Sequence, residues 1–224
     1  MQSSKAYIIR VGGHKDSEEK SAHCAESCDK VGQEWEYWEA YNGLDGEIKD
    51  ASHHNAIMEC LKVTDHYMTR GEVACALSHI SLWAKCVVED QPLVILEHDS
   101  VMVQKYEQHA VFNSICYLGG HEQVKQGWKV LPTPPHASEG PNYHFMCRAH
   151  AYAIDPAVAK NMLAHVLKMG ICGPLDILLR ADIFPIHQMG LYAYNEWDGD
   201  KENTTIKGRP LEGRSTQRND DLSV

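Results

Sequence analysis

Short apolar runs alternate with longer amphipathic stretches along this chain. Residues 6–11, Ala-Tyr-Ile-Ile-Arg-Val, form a β-rich run closed by Gly12-Gly13, which predicts a first strand and a turn. Residues 16–31 set Ala22, Ala25 and Val31 among acidic, basic and hydroxyl side chains, the pattern of a surface helix. The aromatic run 35–41 stops at Asn42-Gly43 and reads as a second strand. A short helix is expected over 52–65, around Ala56, Ile57, Cys60 and Leu61. The clearest helix covers 71–90, where Val73, Ala76, Leu77, Ile80, Ala84 and Val87 recur at helical spacing. Residues 93–96 are an unbroken apolar run, a buried strand that leads directly into Glu97-His98-Asp99. Further strands are expected at 115–118, 150–154 and 191–194. Asp155-Pro156 opens a helix to about residue 168 as N-cap and first-turn proline. Residues 175–180 suit a short helix or a strand, and the prolines between 132 and 141 mark an irregular loop. The alternation predicts an α/β fold with a mainly parallel central sheet.

The pattern ends near residue 197. Residues 198–224 hold 11 charged side chains and only Ile206, Leu211, Leu222 and Val224 as larger apolar groups. Such a segment cannot bury enough surface to offset its conformational entropy, so one domain over 1–197 and a polar tail over 198–224 are expected. The whole chain of 224 residues is 43% hydrophobic and carries a formal charge of −10, which excludes global disorder and argues against attachment to nucleic acid or anionic membrane by bulk charge. No stretch approaches the roughly 18 apolar residues of a membrane span, and the start lacks a signal-peptide pattern. The eight cysteines are scattered among apolar neighbours, which suits reduced thiols and a cytoplasmic location.

Two local features carry candidate chemistry. The apolar strand at 93–96 delivers Glu97 and Asp99, two residues apart, at its carboxyl end, where open α/β sheets place their ligand crevice. Carboxylates at that spacing suit a divalent metal and, through it, ligand phosphates; a strand that merely ends in polar residues is the alternative. On the helix at 71–90, Glu72 and His79 stand seven residues apart with Cys75 between them, so all three share one stripe. Spacing alone favours a satisfied core histidine and a first-turn glutamate that complements the helix dipole.

Taken together these segments resemble glycosyltransferase family 25, the lipooligosaccharide and collagen galactosyltransferase-like family. The likeness rests on Trp38-Glu-Ala-Tyr-Asn-Gly43, on Gly71-Glu72-Val-Ala-Cys75-Ala-Leu-Ser78-His79, on Ile95-Leu96-Glu97-His98-Asp99-Ser100-Val101, and on the late strand at 151–154 with its helix and Gly173-Pro174-Leu175-Asp176. Tyr117-Leu118-Gly119-Gly120 fits the family's short intervening strand. The resemblance implies a GT-A-like, Rossmann-related domain that moves a sugar from a nucleotide-sugar donor to a hydroxyl acceptor, usually with inversion, aided by Mn²⁺ or Mg²⁺. It implies Glu97, Asp99 and His187 as metal ligands and Asp176 as the base that takes the acceptor proton. It implies donor contacts from Asn42, Glu72, His79, Glu97 and Lys207; Arg10 and Lys15, near the end of the first strand, are further candidates for donor phosphates or base, with plain solvated side chains as the alternative. For Asp176 the competing reading is a helix cap, and for His187 an exposed loop histidine. The 204–209 stretch, with Lys207 and Arg209, resembles a family element near the donor, which would order the tail over a bound diphosphate.

Two departures stand out. The first strand reads Ile8-Ile-Arg-Val-Gly-Gly-His14 in place of the family's Asn-Leu-Asp-Arg, and His98 replaces the middle acid of a Glu-Asp-Asp triplet. Imidazole prefers softer ions than Mg²⁺, so metal choice is expected to respond. A saccharide is the acceptor the family implies; a hydroxymethylated DNA base is the minority alternative, against which the charge of −10 counts. A degenerate member that binds without catalysis is the competing function. A zinc hydrolase built on His53, His54, His98 and cysteine residues lacks any recognised ligand spacing.

Overall fold

The structure, a computed structural model, describes residues 4–43, 48, 51–107, 114–119, 129–130, 149–188 and 190–195. The proline-marked loop at 132–141, the 198–224 tail and Lys207 with it lie outside the described residues.

The elements in chain order are β1 (Lys5–Arg10), α1 (Lys15–Val31), β2 (Trp35–Glu39), α2 (Ala56–Glu59), α3 (Arg70–Glu89), β3 (Leu93–Glu97), β4 (Ser100–Met102), β5 (Ile115–Tyr117), β6 (Lys129–Val130), β7 (Ala151–Ile154), α4 (Pro156–Met169), α5 (Leu175–Leu178), β8 (Ile186–Gln188) and β9 (Ala193–Asn195). Among the described residues they build a seven-stranded sheet in the order β2-β1-β3-β7-β5-β8-β6 and a separate β4-β9 ladder. β1 pairs in parallel with β2 and β3, and β5 with β8, while β7 and β6 run against their neighbours. Five of the seven strands therefore point the same way, as the expected mainly parallel sheet requires.

Strand alternation sends side chains to two cores. Tyr7, Ile9, Leu93, Ile95, Tyr117 and Tyr152 pack with α3 and α4 on one face. Ala6, Ile8, Val94, Leu96, Cys116 and Ala153 pack with Cys24, Ala25 and Cys28 of α1 on the other. Both faces being covered explains why residues 93–96 are apolar without a break. The α3 helix opens with a capping box: Glu72 N–H donates to Thr69 Oγ1 at 3.2 Å, and Thr69 N–H donates to Glu72 Oε2 at 2.8 Å. By length and composition α3 alone among the described helices could cross a membrane, but 72% of its apolar window is buried inside the protein.

The helix expected over 52–65 shrinks to one turn. Asn55 caps it by accepting from Ile57 N–H at 3.0 Å, but the chain then extends so that Val63 bridges Ile171 and Thr64 N–H donates to Ile171 O at 3.0 Å. Of the two readings for 175–180 the helix forms, as α5. The strand expected at 191–194 begins later, at Ala193.

Candidate active site at the carboxyl end of the central strand

The site is built where β3 leaves the sheet. Glu97 is its last residue and shares the parity of Leu93 and Ile95, so its side chain projects toward α3. There His79 Nε2 lies 3.4 Å from Glu97 Oε1 without forming a hydrogen bond with it. The other ring nitrogen of His79 lies 2.8 Å from the Tyr152 hydroxyl, which also accepts from Trp83 Nε1 at 3.0 Å. Cys75 sits one helical turn earlier. Its thiol, a ring nitrogen of His79 and a carboxylate oxygen of Glu97 all lie within 4.8 Å of one another.

Electrostatics follow from this crowding. Burial pushes His79 down to about 3, against a smaller pull upward from the Asp176 carboxylate. Burial and then the neighbouring Asp99 push Glu97 up to about 7, opposed by His150 and His98. Burial, followed by Glu97, Asp176, Asp99 and Glu72, raises the Cys75 thiol well above its ordinary value. Four carboxylates thus converge on one thiol.

The turn after Glu97 divides its residues between neighbours. Asp99 Oδ2 accepts from Asn195 Nδ2 at 3.1 Å, while Asp99 Oδ1 is buried with no hydrogen-bond partner among the described residues. Asn195 arrives because β9 pairs with β4 in a register that sets it opposite Ser100. His98 goes the other way: its Nδ1 lies 3.4 Å from Ser17 Oγ in the first turn of α1. Burial lowers its pKa, with Asp99 and Glu97 opposing. The His150 carbonyl ties the turn together by accepting from Glu97 N–H at 2.8 Å and Ser100 Oγ at 2.6 Å. The His150 ring fills the space over Gly119, where an added Cβ would lie 2.4 Å from it.

The remaining expected residues separate into two groups. Asp176 joins the site: it lies in α5, accepts from Ala149 N–H at 3.3 Å, and acts on both His79 and Cys75. It does not cap α5, whose N-cap position is Pro174 without a side-chain bond. Glu72 is buried at the start of α3, with Oε2 engaged by Thr69. Arg10 continues the parity of Ala6 and Ile8, toward α1, and stacks on Tyr37 with Cζ 4.0 Å from the ring centre. Lys15 is exposed and faces Glu19 at 3.6 Å. Asn42 follows Tyr41, whose N–H donates to Ser78 Oγ at 2.9 Å. Gly43 passes so close to α3 that an added Cβ would lie 2.5 Å from the Arg70 carbonyl.

His187 is not brought to this group. In β8 it is level with Cys116, Ala153 and Val94, so it shares the α1-facing parity, opposite to that of Glu97. Three strand spacings and three residue rises put it about 14 Å across and about 10 Å along the sheet from Glu97. The sequence reading missed Tyr152, His150 and Asn195. The alternation of Tyr152 with Ala151 and Ala153 was a usable signal for its face; nothing in the chain marked the other two.

No curated protein matches the chain. The family model described as glycosyltransferase family 25 (LPS biosynthesis protein) matches residues 4–123, more than half of the 224 residues. That stretch runs from β1 to β5 and contains Glu72, Cys75, His79, Glu97 and Asp99, of which α3 and β3 bring Cys75, His79 and Glu97 within 4.8 Å of one another. The chain belongs to glycosyltransferase family 25 and is a glycosyltransferase.

Proposed function

We propose that the protein transfers a sugar from a nucleotide-sugar donor to a hydroxyl of a saccharide acceptor, with inversion at the anomeric carbon and with the help of Mn²⁺ or Mg²⁺. The observation that carries this reading is the carboxylate pair at the end of β3. Asp99 Oδ1 is buried without a hydrogen-bond partner among the described residues, and Glu97 is pushed up to about 7 by burial and by Asp99. Among the described residues no lysine or arginine pairs with either carboxylate, and the donor set of two carboxylates fits a hard divalent cation, which Glu97 and Asp99 would hold. Such a cation neutralises the charge that gathers on a departing diphosphate.

The chain's own groups do the rest. Asn195 fixes the Asp99 carboxylate through Oδ2 and leaves Oδ1 without a donor among the described residues. Asp176, half-buried on α5, takes the acceptor proton as the acceptor oxygen bonds to the anomeric carbon and the nucleoside diphosphate leaves. Closing the crevice around donor and acceptor keeps water from competing for the sugar. His98, held on the α1 side, leaves the outer two acids as the pair, so loss of the middle acid does not remove the proposed cation ligands.

The test is a panel of nucleotide sugars incubated with the protein and Mn²⁺, Mg²⁺ or chelator, read by release of nucleotide and by product anomer. Cation-dependent release with one donor, an inverted product, and a variant Asp176→Asn that binds donor but turns over about a hundredfold more slowly are expected. Donor binding without release by any member of the panel would establish the non-catalytic binding protein instead.

A further inference from the structure

We propose that Cys75, His79 and Glu97 form a site for a soft divalent cation of the zinc class, which differs from the carboxylate pair Glu97 and Asp99 in offering a thiolate and an imidazole. The two readings share Glu97, but this one does not rest on the other.

The geometry begins with spacing. Cys75 and His79 are four residues apart on α3, so their side chains leave the helix on the same face one turn apart. Glu97 meets them from the end of β3, and the three donor atoms lie within 4.8 Å of one another. A tetrahedral zinc with bonds of about 2.0–2.2 Å to nitrogen and oxygen separates those atoms by about 3.4 Å. His79 Nε2 and Glu97 Oε1 already stand 3.4 Å apart. The thiol, one rotatable bond from the backbone, can supply the remaining movement.

A second observation points to a ligand. His79 is 1% exposed, and its Nε2 is buried, directed at Glu97 and Cys75, and without a hydrogen-bond partner among the described residues. A buried imidazole nitrogen left unpaired is costly, and a metal bond removes that cost. The ring is also held as metal-ligating histidines are. Its other nitrogen meets the Tyr152 hydroxyl at 2.8 Å, and that hydroxyl is fixed by Trp83. Cys75 is half-buried and the Glu97 side chain 29% exposed, so the group is open to an ion from solvent on that side. Thiolate and imidazole favour Zn²⁺ and Co²⁺ over Mg²⁺. Binding forms the metal–sulfur bond as the Cys75 thiol proton passes to solvent. Three protein ligands leave a fourth position for water.

Cobalt is the probe, because its spectrum reports donor type without reference to turnover. The full chain, stripped by chelator, is titrated with Co²⁺. Expected are the intense visible bands of a four-coordinate ion and a thiolate-to-cobalt band in the near ultraviolet, both bleached by Zn²⁺. Cys75→Ser must lose the near-ultraviolet band while keeping the native circular dichroism. Exposed Cys60 and Cys172 make that control necessary, since a band that survives Cys75→Ser overturns the proposal. A pale spectrum of the oxygen-ligated six-coordinate kind in the unsubstituted protein overturns it as well, so the outcome stands even if the variant fails to fold. Absence of Mn²⁺-dependent nucleotide release alongside a Cys75-dependent cobalt band sinks the donor-cation reading alone.

Discussion

Three consecutive residues, Glu97, His98 and Asp99, end on three different neighbours. Glu97 keeps strand parity and meets His79, His98 crosses to Ser17 of α1, and Asp99 is turned to Asn195. The identity of the middle residue therefore matters less to the crevice than the sequence triplet suggests. The proposed chemistry concentrates on Asp99, since its Oδ1 is the buried acceptor with no protein donor among the described residues. Asp99→Asn removes charge with little change of shape. Transfer should fall about a hundredfold or more at saturating donor and cation, with the thermal midpoint held. Full transfer by that variant would remove Asp99 from the cation site. Asn195 acts through Asp99, so Asn195→Ala should raise the cation concentration needed for half-maximal rate about tenfold while the rate at saturating cation stays close to the original. A loss confined to the maximal rate would give Asn195 a direct role at the substrate instead.

At the scale of elements, α3 is the scaffold on which the site depends. Its first turn is fixed by the reciprocal bonds of Thr69 and Glu72, and its Cys75 and His79 follow at one-turn intervals toward β3. Oε2 of Glu72 is held by Thr69 N–H and Oγ1, so the effect of Glu72 on the donor is expected to run through the helix. Thr69→Ala should cost about 1 kcal/mol in chemical denaturation, the usual loss for an N-cap, and Glu72→Ala should lower stability in the same direction. Unchanged stability in both variants, with donor affinity lost in Glu72→Ala, would return Glu72 to the donor site. This helix was legible because twenty residues carry a full amphipathic period and a cap. The strand β3 was legible because both its faces are buried. Much of the remaining site was not. β4, β6 and β8 are two or three residues long, too short to carry any period. The direction of β7 leaves no mark in its composition, yet only an antiparallel β7 brings the carbonyl and ring of His150 to the carboxyl end of β3. Asn195 depends on the β4-β9 register, which no local pattern encodes. His187 shows the converse: its residue type suited a ligand, and the register of β8 sent it to the opposite face.

For the molecule as a whole, burial holds several histidines below their ordinary pKa, and acid should reveal them. His79 is lowered to about 3 by burial between α3 and the sheet. His53, stacked on Trp38 with ring centres 4.1 Å apart, is lowered to about 4, again chiefly by burial. His98 is lowered in the same sense. In the unfolded chain each returns toward 6.5, so below that pH the unfolded state takes up protons that the folded state refuses. Stability from these groups is present above about 6.5 and is lost as pH falls toward about 4. Glu97 acts against them. Its folded value of about 7 exceeds its ordinary 4.5, so between those limits the folded state holds the extra proton and gains stability on acidification. One carboxyl set against three histidines leaves a net loss, and the thermal midpoint in chelator should fall from pH 6.5 to 4.5. Glu97→Gln removes the opposing group and should steepen that fall, whereas His53→Asn should make it shallower. A midpoint that stays level or rises on acidification in the unsubstituted protein would mean that the buried histidines do not govern its acid stability. A Glu97→Gln slope shallower than the original would show that Glu97 is ionised in the folded protein before any cation binds.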